Sequence, residues 1–470
     1  MDRPTCLVWL RNDLRLADNP ALSAACSSGI RVVALFIHET DKGVRPPGAA
    51  ARWWQHLSLK AFAEALGALG ITLLIHEGKA SAILDRVIAE EGVQAVHWNR
   101  RYAPGERDVD ASIKQNLQHR GFAVASHMGN VLVEPWTIET GQGKPYSVFT
   151  PFRNNLRQMH IERPLPAPGK LGSAIKPSGV DADYKIPFWA KKFDGQWSVG
   201  ETGAEKALDR FLDGMLDDYP QGRDHPGQEA TSRLSPHLRH GEISPRQIWH
   251  ATLAHVHAHH RSHEAAEKFL SELAWRDFNY HQLYHRDDIA QVPMQPKYAD
   301  MEWETDRKGF AAWQEGRTGI PMVDAGMREI WATGFMQNRV RMLTASFLVK
   351  NLLVDWRTGE EWFWDCLVDG DVANNPANWQ WVAGSGLDAA PYFRIFNPVT
   401  QGGRFDKAGD YVRRWVPELA GLPDKFVQDP ASAPKDVLEE AGVALDKDYP
   451  RPIADLKKTR ERALERQAAL

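Results

Sequence analysis

The first 130 residues alternate short apolar segments with amphipathic ones, and this alternation constrains the fold more than any other feature of the chain. The apolar segments are rich in Val and Ile; they read LVWL, RVVALFIHE, ITLLIHEG, AVHWNR and AVASHM. Longer stretches with helical spacing lie between them, such as ARWWQHLSLKAFAEALGALG and SAILDRVIAEEG. This alternation predicts a doubly wound, mostly parallel sheet. No GxGxxG follows the first strand, so an ordinary dinucleotide site is not predicted.

The pattern changes twice further along the chain. Residues 161 to 200 are rich in Pro, Gly and Ser, which is typical of a linker. Beyond residue 200 only helical spacing of apolar residues continues. We therefore expect an α/β domain over residues 1–130, a connecting segment over 131–200 and a larger all-helical domain over 201–470.

Composition excludes several classes of protein. The three cysteines, Cys6, Cys26 and Cys366, form no CxxC pair, which argues against a disulfide framework, a zinc site or an iron–sulfur cluster. No apolar run approaches the roughly 18 residues of a membrane span, and the N-terminal apolar stretch is too short for a signal peptide. The histidine run HVHAHH lacks a nearby carboxylate or cysteine, so we expect a solvated helix end and no metal site. These features favour a cytoplasmic protein.

The high tryptophan content, 18 residues in 470, makes ring stacking or redox chemistry worth weighing against plain packing. With a net charge of −4, the chain has no overall basic field that would indicate nucleic acid, although a local basic patch remains possible.

Three motifs each allow a functional and a plain structural interpretation. In TSRLSPHL, Thr231, Ser232 and Ser235 precede a helical segment; a helix start can bind an anion, but on this stretch alone a simple N-cap is favoured. In NRVRMLTASFLVK, spacing puts Asn338 and Met342 on one face of a helix that could meet a phosphodiester or be a solvated basic face. The aspartates of VDGDVANN could be turn residues or could hold ribose hydroxyls and an arginine.

Several long stretches together resemble the DNA photolyases and their cryptochrome relatives. They occur in family order over nearly the whole chain and read LVWLRNDLRLADNPAL, YSVFTPF, TSRLSPHL, ELAWRDF, GRTGIPMVDAGMR, NRVRMLTASFLVK and DAAPYFRIFNPVTQGGRFD. The resemblance is greatest to the cyclobutane pyrimidine dimer photolyases. It implies an α/β antenna-binding domain and a helical domain that binds FAD and DNA.

The resemblance also implies a set of FAD-binding residues. Matching positions toward the phosphates and ribitol are Tyr219, Thr231, Ser232, Arg233, Leu234 and Ser235. Positions around the isoalloxazine and adenosine are Arg276, Asn338, Arg341, Asp369, Asp371 and Asn375. We expect Arg341 to pair with Asp369, since a paired charge can be buried where an isolated one cannot. Asn375 matches the position facing flavin N5, where a neutral amide suits the reduced, repair-active cofactor.

Catalytic and substrate residues follow from the same resemblance. Trp379 matches the first member of an electron-transfer chain to the flavin, with Trp356 and Trp303 as relays. The lesion pocket matches at Glu272, Trp275, Asn338, Arg339, Met342 and Trp381. The two tryptophans of that pocket would stack on flipped-out bases, and Glu272 would stabilise charge arriving on the dimer. The implied reaction is light-driven electron transfer from reduced FAD to a dimer in UV-damaged DNA.

The chain departs from the family pattern at a few positions. FMQN stands where the family often has WMHN, so that Phe335 replaces a tryptophan and Gln337 a histidine. No histidine matches the positions that (6-4) photolyases use, which weakens that alternative. Pro376 stiffens the turn that is commonly ANNGGW.

The antenna is expected to be methenyltetrahydrofolate, with 8-hydroxy-5-deazaflavin as the alternative. RRYAPGERD aligns with the segment near the folate, and Glu106 is the matching acid. Trp53 and Trp54 could stack on a pterin or belong to a helix core.

A cryptochrome photoreceptor with little repair activity is the alternative function. Signalling members often carry long C-terminal extensions, whereas this chain ends about 64 residues after QGGRFD, which favours repair. We expect a monomer that acts on damaged DNA.

Overall fold

The computed structural model describes residues 4–177, 179–180, 184–286, 288–388 and 393–470. Residues 389–392 of the DAAPYFRIFNP motif therefore lie outside the described residues. The chain divides into two compact units, each built from separate stretches of sequence. The first unit contains Met1–Asp217, Ser232–Asp288 and Val368–Ala373, and the second contains Asp218–Thr231, Ile289–Leu367 and Asn374–Leu470. The domain bounds 1–130, 131–200 and 201–470 stay predictions.

A five-stranded parallel sheet forms the centre of the first unit, as the strand and helix alternation predicts. Its strands are β1 (Thr5–Leu10), β2 (Arg31–Glu39), β3 (Thr72–Gly78), β4 (Val93–Asn99) and β5 (Ala123–His127). Their spatial order is β3-β2-β1-β4-β5, so the direction of winding reverses between β1 and β4. This is the topology of a doubly wound sheet.

Both faces of the sheet are covered by helices. Leu7 and Trp9 of β1 belong to an apolar cluster with the helix Ala80–Glu91, whereas Val8 and Leu10 belong to a cluster with the helix Ala49–Leu69. Because successive side chains of a strand point to opposite faces, β1 is buried on both sides. This explains why its sequence is continuously apolar and does not alternate.

The remaining helices of the first unit connect strands of the sheet or follow the last strand in the sequence. They are Pro20–Cys26, Pro104–His119, Phe149–Leu156, Glu201–Gly214, Ser235–His240, Pro245–His259 and His263–His285, with a 3-10 helix at Phe188–Phe193. Residues 161–177 contain no helix or strand, whereas the 3-10 helix Phe188–Phe193 lies within the stretch of linker composition, residues 161–200. The histidine run forms an exposed end of Pro245–His259, which confirms its interpretation as a solvated helix end.

The second unit is helical apart from one isolated bridge between Leu445 and Tyr449 in its described residues. Its α-helices are Tyr219–Gly222, Arg307–Gln314, Pro321–Thr333, Asn338–Ser346, Trp356–Cys366, Asn374–Ala383, Pro398–Phe405, Asp410–Trp415, Asp424–Val427, Lys435–Glu440 and Leu456–Ala468. Shorter elements are the 3-10 helices Pro296–Asp300, Pro417–Leu419 and Pro430–Ser432 and the π-helical turn Phe347–Asn351. The predicted fold class, an N-terminal α/β part with a doubly wound parallel sheet and a helical C-terminal part, is confirmed.

Local signals explain where these helices begin and end. Pro321–Thr333 begins with a proline, whose missing N–H is not needed there, and ends before Gly334, which has a left-handed φ of 70°. Its inner face joins a large apolar core that includes Trp313, Trp356 and Trp379. Among the described residues, no helix is both long and apolar enough to cross a bilayer.

Candidate functional site

Asn375 lies near the start of the helix Asn374–Ala383 and is buried, with 8% of its surface exposed. Its side-chain Nδ2 donates to the backbone oxygen of Glu360 at 3.1 Å and to the Oε1 of Glu360 at 2.8 Å. Glu360 is itself buried on the helix Trp356–Cys366. The sequence did not single out Glu360, because nothing local distinguishes it from its exposed neighbour Glu361.

These two hydrogen bonds determine which way the amide of Asn375 points. A backbone carbonyl can only accept, so the atom of Asn375 that faces the oxygen of Glu360 has to be the NH₂ group. The Oδ1 of Asn375 is therefore left as an acceptor that points away from Glu360. An acceptor oriented in this way fits an N–H donor of a cofactor.

Trp379 lies one turn further along the same helix and is 3% exposed. Its ring makes an edge contact with Phe363 at 4.9 Å between centroids and lies 6.4 Å from the ring of Trp313. Gly359 makes this packing possible, because a Cβ at that position would lie 2.3 Å from the Trp379 ring. The indole is therefore fixed by packing on several sides.

The predicted relays differ in exposure. Trp356 is 1% exposed and belongs to the same apolar core as Trp379, whereas Trp303 is partly buried at the edge of that core. A further indole, Trp313, lies 5.4 Å from the partly exposed Trp362. Trp379, Trp313 and Trp362 thus form a second series of neighbouring rings, which the sequence analysis did not identify.

Trp381 points to a different environment from Trp379, because two residues along a helix correspond to roughly 200° of rotation. Its ring is partly buried, its Nε1 donates to the carbonyl oxygen of Asp388 at 3.1 Å, and it lines a cavity of the second unit. The spacing of the two tryptophans therefore separates a core ring from a cavity ring.

The helix Asn338–Ser346 carries four predicted site residues and begins with a side-chain cap. Gln337 is the N-cap: its Oε1 accepts from the backbone N–H of Arg339 at 2.6 Å, and its Nε2 donates to the carbonyl oxygen of Arg223. This departure from the family pattern therefore has a structural role here. Asn338 and Met342 contact each other, Nδ2 to Sδ at 3.8 Å, which confirms that they share a face.

The two arginines of this helix already have partners inside the second unit. Arg339 forms an ion pair with Asp224 at 2.8 Å, and its guanidinium lies 4.5 Å from the centroid of the Phe405 ring. Arg341 donates from Nε to the carbonyl oxygen of Met336 at 2.6 Å. The pairing of Arg341 with Asp369 stays a prediction.

In the first unit, Asp369 and Asp371 are buried in a short turn at residues 368–373. The Oδ2 of Asp369 accepts from the hydroxyl of Ser235 at 2.6 Å, and the Oδ2 of Asp371 accepts from the hydroxyl of Tyr280 at 2.7 Å. The turn is thus tied to two helices, Ser235–His240 and His263–His285. Tyr280 was not predicted, since its partner lies far away in sequence.

The TSRLSPHL stretch does not form the simple side-chain N-cap that its sequence favours. The N-cap position is Leu234, no side chain caps the helix there, and Ser235 uses its hydroxyl on Asp369. The N-cap interpretation is therefore wrong. Arg233 has a φ of 53°, a strained value for a residue with a side chain, and its guanidinium lies 4.3 Å from the Trp197 ring centroid.

The remaining predicted phosphate-side residues are distributed over both units. Thr231 and Tyr219 belong to the second unit, where Tyr219 is buried with the guanidinium of Arg223 at 5.2 Å from its ring centroid. Ser232 accepts through Oγ from the backbone N–H of Leu234 at 3.4 Å, in the first unit.

The helix His263–His285 carries Glu272, Trp275 and Arg276 within a little more than one turn. Trp275 stacks on Phe149 with 3.6 Å between ring centroids and 9° between planes, so one face of its indole is covered. Glu272 is half-buried, with the Nζ of Lys268 at 4.0 Å from its carboxylate. Arg276 is buried and donates to the carbonyl oxygen of Asn130 at 2.5 Å.

The predicted antenna acid, Glu106, is buried in the first turn of Pro104–His119. Burial raises the pKa of Glu106, and the nearby guanidinium of Arg101 opposes that rise. Trp53 and Trp54 are buried and pack with Phe193, which confirms their interpretation as helix-core residues. In the part of the chain that the structure describes, no group of three or more His, Cys, Asp or Glu is arranged to hold a metal.

Comparisons with known proteins agree with the fold. Residues 6–169 match the family model described as DNA photolyase, and residues 269–469 match the model of the FAD binding domain of DNA photolyase. The deoxyribodipyrimidine photo-lyase of Agrobacterium fabrum is 48% identical over 99% of this chain and 98% of its own length. Cryptochrome-2 of Arabidopsis thaliana is 36% identical over 98% of this chain and 78% of its own length.

A solved structure resembles the chain over its whole length. The crystal structure of a bacterial class III photolyase from Agrobacterium tumefaciens matches with a TM-score of 0.95 and 46% identity. The match covers 100% of this chain and 98% of that one.

Proposed function

The chain belongs to the DNA photolyase and cryptochrome family, and from that premise we propose that it repairs cyclobutane pyrimidine dimers in DNA under light. The identity of 48% to a deoxyribodipyrimidine photo-lyase, against 36% to a cryptochrome, favours repair over signalling. The protein is thus an enzyme of the deoxyribodipyrimidine photo-lyase type.

The orientation of Asn375 is the observation that carries the cofactor assignment. Bound FAD supplies light absorption and, when reduced, an electron for the dimer. The Oδ1 of Asn375, held outward because Nδ2 bonds to Glu360, suits an N–H donor such as N5–H, which reduced flavin has and oxidised flavin lacks. An acceptor fixed in advance does not have to reorganise when charge moves. The remaining FAD-binding residues are proposed from the family pattern.

Electron supply from the protein is the proposed role of the indoles. In this proposal Trp379 is the electron donor nearest the flavin. Trp303 and Trp356 then pass an electron inward to replace the one that Trp379 has given up. The burial of Trp379 and Trp356 and the partial exposure of Trp303 support this order, because the last donor of such a chain has to meet solvent.

Substrate contacts are proposed for Glu272, Trp275, Asn338, Arg339, Met342 and Trp381. Trp275 is partly exposed and Phe149 covers one face of its indole, so the other face is the one proposed to stack on a base. Glu272 is half-buried, with the Nζ of Lys268 at 4.0 Å from its carboxylate, and its proposed role is to hydrogen-bond a base edge.

We further propose that the protein is a cytoplasmic monomer with a methenyltetrahydrofolate antenna near Glu106, and 8-hydroxy-5-deazaflavin as the alternative. Chromatography of the chromophores released on denaturation distinguishes the two antennas. A deazaflavin in the extract would overturn the folate proposal.

The repair proposal is tested with two oligonucleotides, each carrying one defined lesion, under the same blue light. We expect recovery of the cyclobutane dimer, no recovery of the (6-4) photoproduct, and no reaction in the dark. Repair of the (6-4) substrate would reassign the lesion, and repair of neither would favour a cryptochrome.

A matched pair of variants makes the repair test specific. Glu272→Ala should lower both affinity for the dimer and the efficiency of splitting. Glu267→Ala is the control, because Glu267 lies on the same helix and its half-exposed carboxylate pairs only with Arg157 among the described contacts. Equal losses in both variants would remove the proposed role of Glu272.

A further inference from the structure

A cavity of about 740 Å³ lies within the second unit. Its lining comes from the helix Leu456–Ala468, the 3-10 helix Pro296–Asp300, the turn Phe347–Asn351 and residues 381–384 and 393–396. The volume falls in the range of roughly 300–1,000 Å³ that is usual for small-molecule sites. Of the lesion-pocket residues proposed above, the lining shares Trp381 and no other.

The charge of this cavity is entirely positive among its described lining residues. They include four basic side chains and no Asp or Glu; the basic ones are Lys297, Lys350, Arg394 and Arg460. Three of these are exposed at the rim, while Lys350 is only 1% exposed. Because the protein as a whole has a net charge of −4, this concentration of cations is a local feature.

Lys350 is held at the cavity wall without an acidic partner in the described lining. Its Nζ donates to the carbonyl oxygen of Arg394 at 3.1 Å and lies 3.5 Å from the centroid of the Phe393 ring. An ammonium group has three N–H donors, and a buried ammonium is stabilised by an opposite charge. Burial lowers the pKa of Lys350 to about 7, so an anion in the cavity would favour its protonated form near neutral pH.

The lining of the cavity also includes four aromatic residues. They are Tyr298, Trp381, Phe393 and Phe396, and the Phe393 ring lies beside the Nζ of Lys350. Aromatic rings bind planar heterocycles by stacking, and stacking on a base is tolerant of its sequence. A cavity that combines cations with such rings suits a ligand that has both an anionic group and a flat base.

We propose that this cavity binds a nucleoside phosphate, with its phosphate paired to Lys350 and its base against aromatic residues of the lining. The rim cations Lys297, Arg394 and Arg460 would attract the same phosphate. This chemistry occurs in a free mononucleotide and in a nucleotide of a DNA strand, so the experiment separates the two sources.

The test is a calorimetric titration of AMP into the full-length, flavin-loaded protein in the dark. Loading with flavin prevents AMP from entering the proposed FAD site. We expect saturable binding with a Kd of roughly millimolar or tighter, and much weaker binding of adenosine, which lacks the phosphate. Lys350→Met should weaken AMP binding by roughly tenfold or more, since it removes a hydrogen bond to a charged group.

Two further variants provide a second test of the cavity and a matched control. Arg460→Gln changes an exposed rim residue and should fold normally, and it should weaken AMP binding by a few-fold. Lys435→Met is the matched control, because Lys435 is an exposed lysine of the same unit whose recorded partner is Glu439, and it should leave AMP binding unchanged.

An undamaged oligonucleotide added as a competitor identifies the source of the ligand. Displacement of AMP would show that the cavity takes a nucleotide of the strand, and AMP that stays bound would show a site for free nucleotide; both support the proposal. No saturable binding to the wild type, or equal affinity for wild type and Lys350→Met, would overturn it.

Discussion

Two helices each carry a polar residue and a tryptophan of the predicted site. These residues are buried on one helix and partly exposed on the other. On Asn374–Ala383, Asn375 and Trp379 are buried, at 8% and 3% exposure, and every contact described above is with a neighbouring helix of the core. On His263–His285, Glu272 and Trp275 are both partly exposed. The first pair is fixed by packing, and the second pair faces solvent on at least one side.

The difference separates two kinds of functional residue. A residue that serves a cofactor gains from a rigid, dry environment, because its dipole is then set before the reaction. A residue that serves a large substrate has to remain accessible until that substrate arrives. Substitutions in the first helix should therefore alter stability and flavin chemistry, and substitutions at the exposed positions of the second should alter DNA binding.

The largest effect is expected for Trp379→Phe, which should abolish photoreduction of oxidised FAD. Phenylalanine keeps much of the packing volume against Phe363 and Gly359 but is far harder to oxidise. The measurement is the flavin absorbance under blue light with an external electron donor. Repair by chemically reduced enzyme should remain largely intact, which separates electron supply from catalysis.

Comparison of Trp356→Phe with Trp313→Phe then identifies the route beyond Trp379. Loss of photoreduction in Trp356→Phe alone supports the relay predicted from the sequence. Loss in Trp313→Phe would point to the rings of Trp313 and Trp362, which lie 5.4 Å apart. Normal photoreduction in Trp379→Phe would contradict both routes.

The second effect concerns Asp277, a buried acid on the helix that also carries Glu272 and Trp275. Burial raises the pKa of Asp277 to about 7, although its carboxylate accepts backbone N–H groups of Leu132 and Val133. Since the folded pKa lies above the ordinary value of 3.8, the folded state binds the extra proton. The stability that Asp277 contributes is therefore present below about pH 4 and is lost as pH rises toward 7, by about 1.4 kcal/mol per pH unit.

Asp277→Asn should remove this dependence. Urea unfolding at several pH values from 4 to 8 should show that the free energy of unfolding of the variant increases relative to that of the wild type as pH rises. Asp213→Asn is a suitable control, because Asp213 is 75% exposed and belongs to the same unit. Parallel pH profiles of wild type and Asp277→Asn would contradict the prediction and mean that Asp277 is ionised in the folded protein.

The third effect tests the fixed amide directly. Glu360→Ala removes one acceptor from the Nδ2 of Asn375 and should lower the free energy of unfolding by about 1.5–3 kcal/mol, as for a buried hydrogen bond to a charged group. Glu361→Ala, an exposed neighbour on the same helix, should cost less than about 0.5 kcal/mol. Equal losses would show that the Glu360 contact does not stabilise this helix pair.

The sequence predicted the structural features that depend on a local pattern of residues. The five strands follow from Val- and Ile-rich runs, and the Asn338–Met342 contact follows from helical spacing. The Glu360–Asn375 contact and the neighbouring rings of Trp313 and Trp379 were not predictable, because each requires two helices to pack in one particular way. The same reason explains the wrong N-cap prediction, since the hydroxyl of Ser235 is taken by an aspartate far along the chain.

The division into two discontinuous units could also not be predicted from the sequence. Composition predicts a linker from the Pro-, Gly- and Ser-rich residues 161–200, but it cannot show that Val368–Ala373 joins the first unit. That assignment depends on tertiary contacts of Asp369 and Asp371 with Ser235 and Tyr280. In the sequence alone, the two buried aspartates of this short turn cannot be distinguished from ordinary turn residues.

The smallest effect is expected for Trp275→Ala, and it should appear in DNA binding more than in chemistry. Removing the indole should weaken binding of a dimer-containing oligonucleotide by about 1–3 kcal/mol, as for one lost stacking contact. The measurement is fluorescence anisotropy with damaged and undamaged strands of the same sequence. Reduced enzyme saturated with substrate should still split the dimer at a rate close to that of the wild type.

A structural role for Trp275 has to be separated from this one, because its ring also stacks on Phe149 at 3.6 Å. Trp275→Phe retains an aromatic face for both neighbours and should recover most of the binding. Phe149→Leu removes the ring behind the indole without removing the face proposed for the base, so it should reduce stability while damaged and undamaged strands keep their ratio of affinities. If Phe149→Leu lowered that ratio as much as Trp275→Ala does, the two rings would act as one structural unit, and the contrast between a core-held helix and a substrate-facing helix would no longer hold.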